Sequence, residues 1–405
     1  MRKIDPVRFQ VATQGTSREI NRQIVLNLVR ANQPISRADL ARTMGVRRGS
    51  VSLLVSDLLQ SGLIVEGASG RTVRGRKPTF LYIDSQRRTV VAVDVRASRT
   101  YLMPADLLGK PLSGVVGFPT VRDPRLLATT LGARIRALLA EHGGVSACEG
   151  VGVAIPGMIE HSTMRVLHAP TLGWRNVDVH GLLTDAIGLP VHIENSGRAC
   201  ALAQLWAMHG GIGSSAGDFV FVSVSDGLGI GVIVRGELLR GRHNVAGEFG
   251  HVPLNIDGPR CGCGATGCWE AYVSNLATLS RYFGRDLQDR NTHDVIAMTI
   301  DDLIARARGG DAKALAALLS TARYLGLGLG SVVNAIDPAH VYIGGEITAA
   351  WDLIEATVRS ALAERVLTRP AGATPITIVP PEQYPRLRGA AALVAAPAFA
   401  SGAVA

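Results

Sequence analysis

Ten residues in the second half of the chain, CGCGATGCWE from Cys261 to Glu270, bring three cysteines, three glycines and a tryptophan–glutamate pair together. Three thiols cannot all pair off among themselves, and their spacing suits a metal site in a knuckle-like loop. Cys261, Cys263 and Cys268 would supply three thiolates, while Gly262, Gly264 and Gly267 let the backbone fold tightly around the ion. A closed zinc site wants a fourth ligand, and His251, ten residues upstream, is the best-placed imidazole. An iron–sulfur fragment or merely reduced packing cysteines would account for the thiols but not for the glycines. Glu270 could cap the helix that follows, and a ligating imidazole presents its other ring nitrogen to a partner. Cys148 and Cys200 are isolated and read as small core residues.

The chain has 405 residues, enough for two or three domains. No apolar run reaches the ~18 residues that span a bilayer, and the N-terminus lacks the pattern of a secretory signal. Five cysteines without an export signal suggest a reducing compartment, so a cytoplasmic protein with no membrane partner is expected. The formal charge is +9, and its location is informative. Residues 1–80 hold fourteen Lys and Arg against five Asp and Glu, while the remainder holds twenty-eight of each sign. All the excess therefore sits in the first fifth of the chain, which points to a polyanion-binding module on a neutral body.

Within that module, Thr16 and Glu19 have capping-box spacing, and Ile20, Ile24 and Leu28 then mark a first helix. Ser36 and Asp39 open a short second helix that Gly45 ends. Val51, Leu54, Val55, Leu58 and Leu59 form one face of a third, and two strands follow around the polar loop ASGRTVRGRKP. This order is that of a winged helix-turn-helix over residues 1–84, with a double-stranded DNA operator as its partner. The third helix carries Arg47, Arg48, Ser50, Ser52 and Ser56 on its outward face, groups that can approach phosphates and base edges. A helical bundle used for dimerisation is the competing reading. Leu53, also outward, would touch either a thymine methyl or a dimer partner. Arg74 and Arg76 flank a glycine in the loop and could enter an A·T-rich minor groove or touch phosphates alone.

From Arg88 onward, β-branched runs ending in small residues alternate with helices in two successive sets, which predicts two α/β lobes with a cleft between them. The motifs SRADLARTMGVRRGSVSLLVSDLLQSGLI, GRKPTFLYID, AIPG, IEN, DGLGIGVIVRGELLRG, AGEFGHVPL, CGCGATGCWEAYVS and NAIDPAHVYIGGEIT carry a specific resemblance. Through nearly its whole length the chain resembles the ROK family of bacterial sugar kinases and sugar-responsive repressors, and with its N-terminal module it is similar to the xylose- and N-acetylglucosamine-repressor branch.

The resemblance implies an actin-like, sugar-kinase-like body. A smaller lobe would span 88–196, completed by a C-terminal helix at 383–399, and a larger lobe 197–382 would hold the zinc loop. It implies His251 as the fourth zinc ligand, and Asn195, Glu248, His251 and Glu270 as the lining of a sugar pocket. Without the neighbouring zinc motif, Glu248 and Glu270 would read as solvated helix starts.

Two departures separate the chain from the family's kinases. Those enzymes carry an aspartate directly after the asparagine of EN as the base on the attacking hydroxyl, and here the position is Ser196. A serine with no adjacent base cannot take a proton near neutral pH. Their Asp-x-Gly-Gly-Thr phosphate loop reads DVRASRT here, with Arg96 and Ala97 in place of both glycines. The DGLGIG loop persists, but alone it is equally well a tight hairpin. The expectation is a regulator without catalytic residues, most readily a repressor, that binds DNA as a homodimer or tetramer and senses a sugar or sugar derivative. A residual kinase with a regulatory role and a regulator answering to a protein partner are the alternatives.

Overall fold

The computed structural model describes residues 14–69, 78–85, 87–208, 217–286 and 298–399. Its N-terminal module has three helices, α1 (Gln14–Asn32), α2 (Arg37–Met44) and α3 (Arg48–Gln60). An antiparallel sheet joins them, in the order Ile35–Ser36, Thr79–Ile83, Ile64–Ser69. Ser36 caps α2 in a full capping box with Asp39, and Gly45 ends it in the left-handed conformation. The sequence places the start of α1 at Thr16, but among the described residues the helix already runs from Gln14. Thr16 and Glu19 both lie inside that helix, and Glu19 accepts from Gln23 one turn on. Residues 70–77 lie outside the described residues, and Arg74 and Arg76 with them.

The body contains two five-stranded mixed sheets of the same design. The first runs Val191–Asn195, Cys148–Ile155, Thr89–Val95, Arg99–Asp106, Val116–Pro119, and the second runs Ile376–Val379, His340–Gly344, Phe219–Val224, Leu228–Val234, Glu237–Leu238. In each, a three-stranded antiparallel meander is extended by two parallel strands. The β-branched runs read from the sequence fall on these strands, and the central ones, Thr89–Val95, Cys148–Ile155 and Phe219–Val224, are buried on both faces. Helix Pro385–Phe399 returns to the first sheet, where Ala390 backs so closely on Gly152 that a side chain at the glycine would meet its carbonyl at 1.8 Å. Helix Ala312–Ile336 is long and apolar enough to cross a bilayer by length and composition, yet Leu318, Leu325, Leu329 and Val332 on it are wholly buried in the second lobe.

The module is not tethered loosely. Val25, Leu26 and Val29 of α1 share one apolar core with Val90, Met103, Leu387, Val394 and Phe399 of the first lobe. Asn27 donates to the Phe399 carbonyl at 2.8 Å. Arg30 stacks 3.3 Å above the Trp206 ring and donates to the Trp206 carbonyl at 2.6 Å. Arg88 donates to the Ser61 carbonyl at 2.9 Å. Helix Ser196–Met208 therefore runs from the centre of the body to the underside of the module.

Candidate metal centre and ligand site

His251 ends a single 3₁₀ turn, Phe249–His251, and the chain then runs antiparallel to the end of the cysteine loop. Leu254 N–H donates to the Gly267 carbonyl at 2.8 Å and Trp269 N–H to the Val252 carbonyl at 3.0 Å, which brings the histidine beside the thiols. Gly267 has φ +71° and sits so close to Asn255 that a Cβ would lie 1.6 Å from its carbonyl oxygen, so only glycine fits there. Trp269 is buried and donates to the Tyr324 carbonyl at 2.9 Å, anchoring the loop to the long helix.

A tetrahedral ion with metal–sulfur bonds of about 2.3 Å sets its ligands about 3.8 Å apart. Cys263 Sγ and Cys268 Sγ are 3.7 Å apart, and Cys261 Sγ is 3.7 Å from His251 Nδ1. All four ligand atoms lie within 4.8 Å of one another. The cluster therefore fits a thiophilic metal ion. Burial, followed by the Glu270 carboxylate, pushes the Cys261 thiol up, and burial pushes Cys268 up to about 11, so metal uptake would release protons.

Glu270 is held at this centre from two sides. Its Oε2 accepts from Leu228 N–H at 2.9 Å, and its Oε1 lies 3.3 Å from Cys261 Sγ. The helix expected from Glu270 onward is two helices. Ser274 breaks it by capping Asn275–Phe283, because Asn275 N–H is drawn to the Ser225 carbonyl at 2.8 Å. His251 turns Nδ1 toward Cys261, which leaves Nε2 on the other side of the ring.

Glu248 is reached through a residue the sequence reading did not single out. Arg198, only 2 % exposed, donates to Glu248 Oε1 at 3.3 Å and to the carbonyls of Asn244 and Ala246 at 2.7 and 3.2 Å. Arg240 and Arg198 also pair with the buried Glu194. Burial pushes the Glu248 carboxyl up, while Arg198 and His251 pull it down. An arginine inside the apolar run SGRACALAQLWAM was the available signal, since a buried charge demands partners.

Asn195 is committed to the backbone. Its amide donates to the Gly157 carbonyl at 2.8 Å, and its oxygen accepts from Gly197 and Arg198 N–H, capping helix Ser196–Met208. DGLGIG is a hairpin, and Gly229 and Gly231 let that helix approach the strand: a Cβ on Gly197 would meet Gly229 C at 2.5 Å.

Where the DVRAS loop lies, an ion-pair bridge joins the lobes. Arg96 Nε donates to Asp94 Oδ2 at 2.7 Å, Arg96 Nη1 donates to Glu346 Oε1 at 3.0 Å, and the guanidinium lies 4.8 Å over Tyr101. Glu346 Oε2 accepts from Asn275 at 3.2 Å. Asp94 is fully buried.

On the module, Arg47 occupies the N-cap position of α3 without a side-chain cap bond, and Arg47, Arg48 and Ser50 are exposed, while Ser52 is half-buried. The four described acids of residues 14–80 each face an arginine. Arg22 meets Glu19 at 3.4 Å, Arg42 meets Asp39 at 3.2 Å, Arg18 meets Asp57 at 2.5 Å and Arg37 meets Glu66 at 2.5 Å. Among the described residues, Arg47 and Arg48 enter no ion pair, so the positive charge is left at the start of α3.

The profile of the ROK family matches residues 120–396. The xylose repressor of Caldicellulosiruptor bescii is 28 % identical over 358 residues, covering 86 % of this chain and 88 % of that protein. The crystal structure of a ROK family transcriptional regulator, a homologue of the E. coli MLC protein, superimposes with a TM-score of 0.75 at 25 % identity, covering 95 % of this chain and 97 % of that one. A ROK family glucokinase from Streptomyces griseus, solved with glucose and AMPPNP, has a TM-score of 0.64 at 26 % identity and covers 75 % of this chain and 98 % of its own.

Proposed function

Because the chain belongs to the ROK family, we propose that it is a sugar-responsive, DNA-binding transcriptional repressor whose kinase-like body senses its ligand without phosphorylating it. The observation that carries this reading is the contrast between the two ends of the molecule. A basic helical module is fused to a sugar-kinase-like body, and in that body Arg96 occupies the loop that would have to admit phosphates. A guanidinium tied to two carboxylates, in place of glycines that expose backbone N–H groups, supports a body that does not hold a nucleotide's phosphates at this loop. Ser196 at the start of the buried helix offers no base.

The module is read as a winged helix-turn-helix over residues 1–84, with Arg47, Arg48, Ser50, Ser52, Arg74 and Arg76 facing the duplex. The lobes are read as 88–196 with 383–399, and 197–382. A homodimer on a pseudo-palindrome is the natural assembly for such a module. His251, Cys261, Cys263 and Cys268 would hold zinc, which when bound supplies a rigid tetrahedral anchor for the loop. Glu248, Glu270 and His251 Nε2 would meet sugar hydroxyls. Asn195 would meet the sugar through the Nδ2 hydrogen left after its bond to the Gly157 carbonyl, and it also fixes the helix that carries Arg198.

The test uses the purified full chain. Duplexes are selected from a random library, and their affinity is measured with xylose, glucose, N-acetylglucosamine and the phosphorylated forms of each. One of these sugars should shift operator affinity, with no ATP-dependent phosphorylation. Turnover above about one per second, within the ordinary range for enzymes, would overturn the sensing-only reading.

A further inference from the structure

Val51, Leu54, Val55 and Leu58 turn one face of α3 into the module's core. The opposite face carries Gly49, Ser52, Leu53 and Ser56 at helical spacing. This face is nearly flat. Gly49 has no side chain, and an added Cβ would meet nothing within 4 Å. Ser52 donates its hydroxyl to the Arg48 carbonyl at 3.0 Å and Ser56 donates to the Ser52 carbonyl at 2.9 Å, so both side chains fold back onto their own helix. Leu53 alone stands out from it, 68 % exposed. A single exposed leucine is ordinary on a protein surface, and Leu53 matters here because of the charged face on which it stands.

The charge around Leu53 says what that face meets. Asp57, the acid nearest along the helix, is neutralised by Arg18 at 2.5 Å, and Arg47 and Arg48 stand exposed at the N-terminal end. A face with its acids paired and its arginines exposed is complementary to phosphates, and between the phosphate rows of a major groove the one apolar group on the base edges is the thymine 5-methyl. We infer that Leu53 is a specificity-determining residue that reads a thymine methyl in each half-site, with Ser52 and Ser56 kept short so that the helix can approach. This rests on the DNA-binding reading proposed above. Arg47 and Arg48 set affinity through phosphates, and Leu53 sets preference at one base pair.

The experiment replaces thymines one at a time by deoxyuridine, which removes the methyl and nothing else, in a duplex selected by the full-length protein. At one thymine per half-site the wild type should lose affinity about fourfold, the value of roughly one buried methyl-sized group. Leu53→Ala should bind the thymine duplex about fourfold or more weakly and become indifferent to deoxyuridine at that position. Leu53→Met, still apolar and long, should restore the sensitivity. Because Leu53 contributes little to the core, each variant should keep the wild-type thermal midpoint. Equal binding of thymine and deoxyuridine duplexes by the wild type would overturn the inference, and so would a methyl effect that survives in Leu53→Ala. Loss of dimers in Leu53→Ala with the methyl effect intact would reassign the residue to a contact between copies. A protein that selects no duplex would instead refute the DNA-binding reading itself.

Discussion

Arg96→Ala should destabilise the body, and the geometry sets the size of the loss. Arg96 is the partner of Asp94, a carboxylate with no exposed surface whose Oδ1 already lacks a hydrogen bond. Truncating one side of a buried pair leaves the other charge uncompensated, at about 3–5 kcal/mol. The arginine side chain is itself 25 % exposed, so water can partly replace it and the low end, ~3 kcal/mol, is expected. Replacing both charges by neutral groups of similar shape, Asp94→Asn with Arg96→Met, should recover part of that loss, the remainder being Glu346 deprived of one of its arginines. Urea unfolding of the wild type, Asp94→Asn, Arg96→Met and the double variant closes a double-mutant cycle, with an expected coupling of at least ~2 kcal/mol. Single effects that add within about 0.5 kcal/mol would refute the claim that this pair is energetically joined.

The same bridge predicts a pH dependence. Although burial opposes ionisation of Glu346, Arg386 and Arg96 outweigh it and hold the carboxyl below its ordinary value. A depressed carboxylate contributes stability that is complete above the unfolded value of about 4.3 and is lost as pH falls through the lower folded value. In Arg96→Ala the folded value rises toward the unfolded one, so that acid-side contribution should shrink and fade at higher pH than in the wild type.

Glu270→Ala should unpair Leu228 N–H as well as any sugar contact, costing about 1–3 kcal/mol and lowering the thermal midpoint. Glu270→Gln should recover stability but not the sugar response, and an unchanged midpoint in Glu270→Ala would contradict the observed seat of the carboxylate. Metal analysis of fresh protein should find close to one zinc per chain. Cys263→Ser or a strong chelator should blunt the sugar response while leaving operator binding largely in place, and zinc-free active protein would remove the metal from the account. Arg47→Ala or Arg48→Ala should weaken binding to all duplexes alike and reduce the salt slope by about one. A base-specific loss would show that these arginines read bases.

Features that depend on near neighbours in the chain were legible in the sequence. The Ser36 capping box, the Gly45 stop, the β-branched strands and the metal-binding spacing of Cys261, Cys263 and Cys268 are each decided within a few residues. The concentration of charge in the first fifth of the chain is likewise a matter of counting. The roles of the buried polar groups were not legible, because they depend on which distant partner the fold supplies. Arg96 reads as a lost glycine until Glu346, 250 positions away, is brought against it. Asn195 reads only as a ligand-binding amide until the Gly157 carbonyl and two helical N–H groups show that it also caps a helix. Arg198 is unremarkable until burial forces it onto Glu248 and two carbonyls. The module looks detachable until Arg30 is seen stacked on Trp206, 176 positions away in the chain. Local conformation is set by short-range sterics and caps, but a buried charge or amide takes its role from its desolvation and its compensating partner. Both of those exist only once the chain has folded.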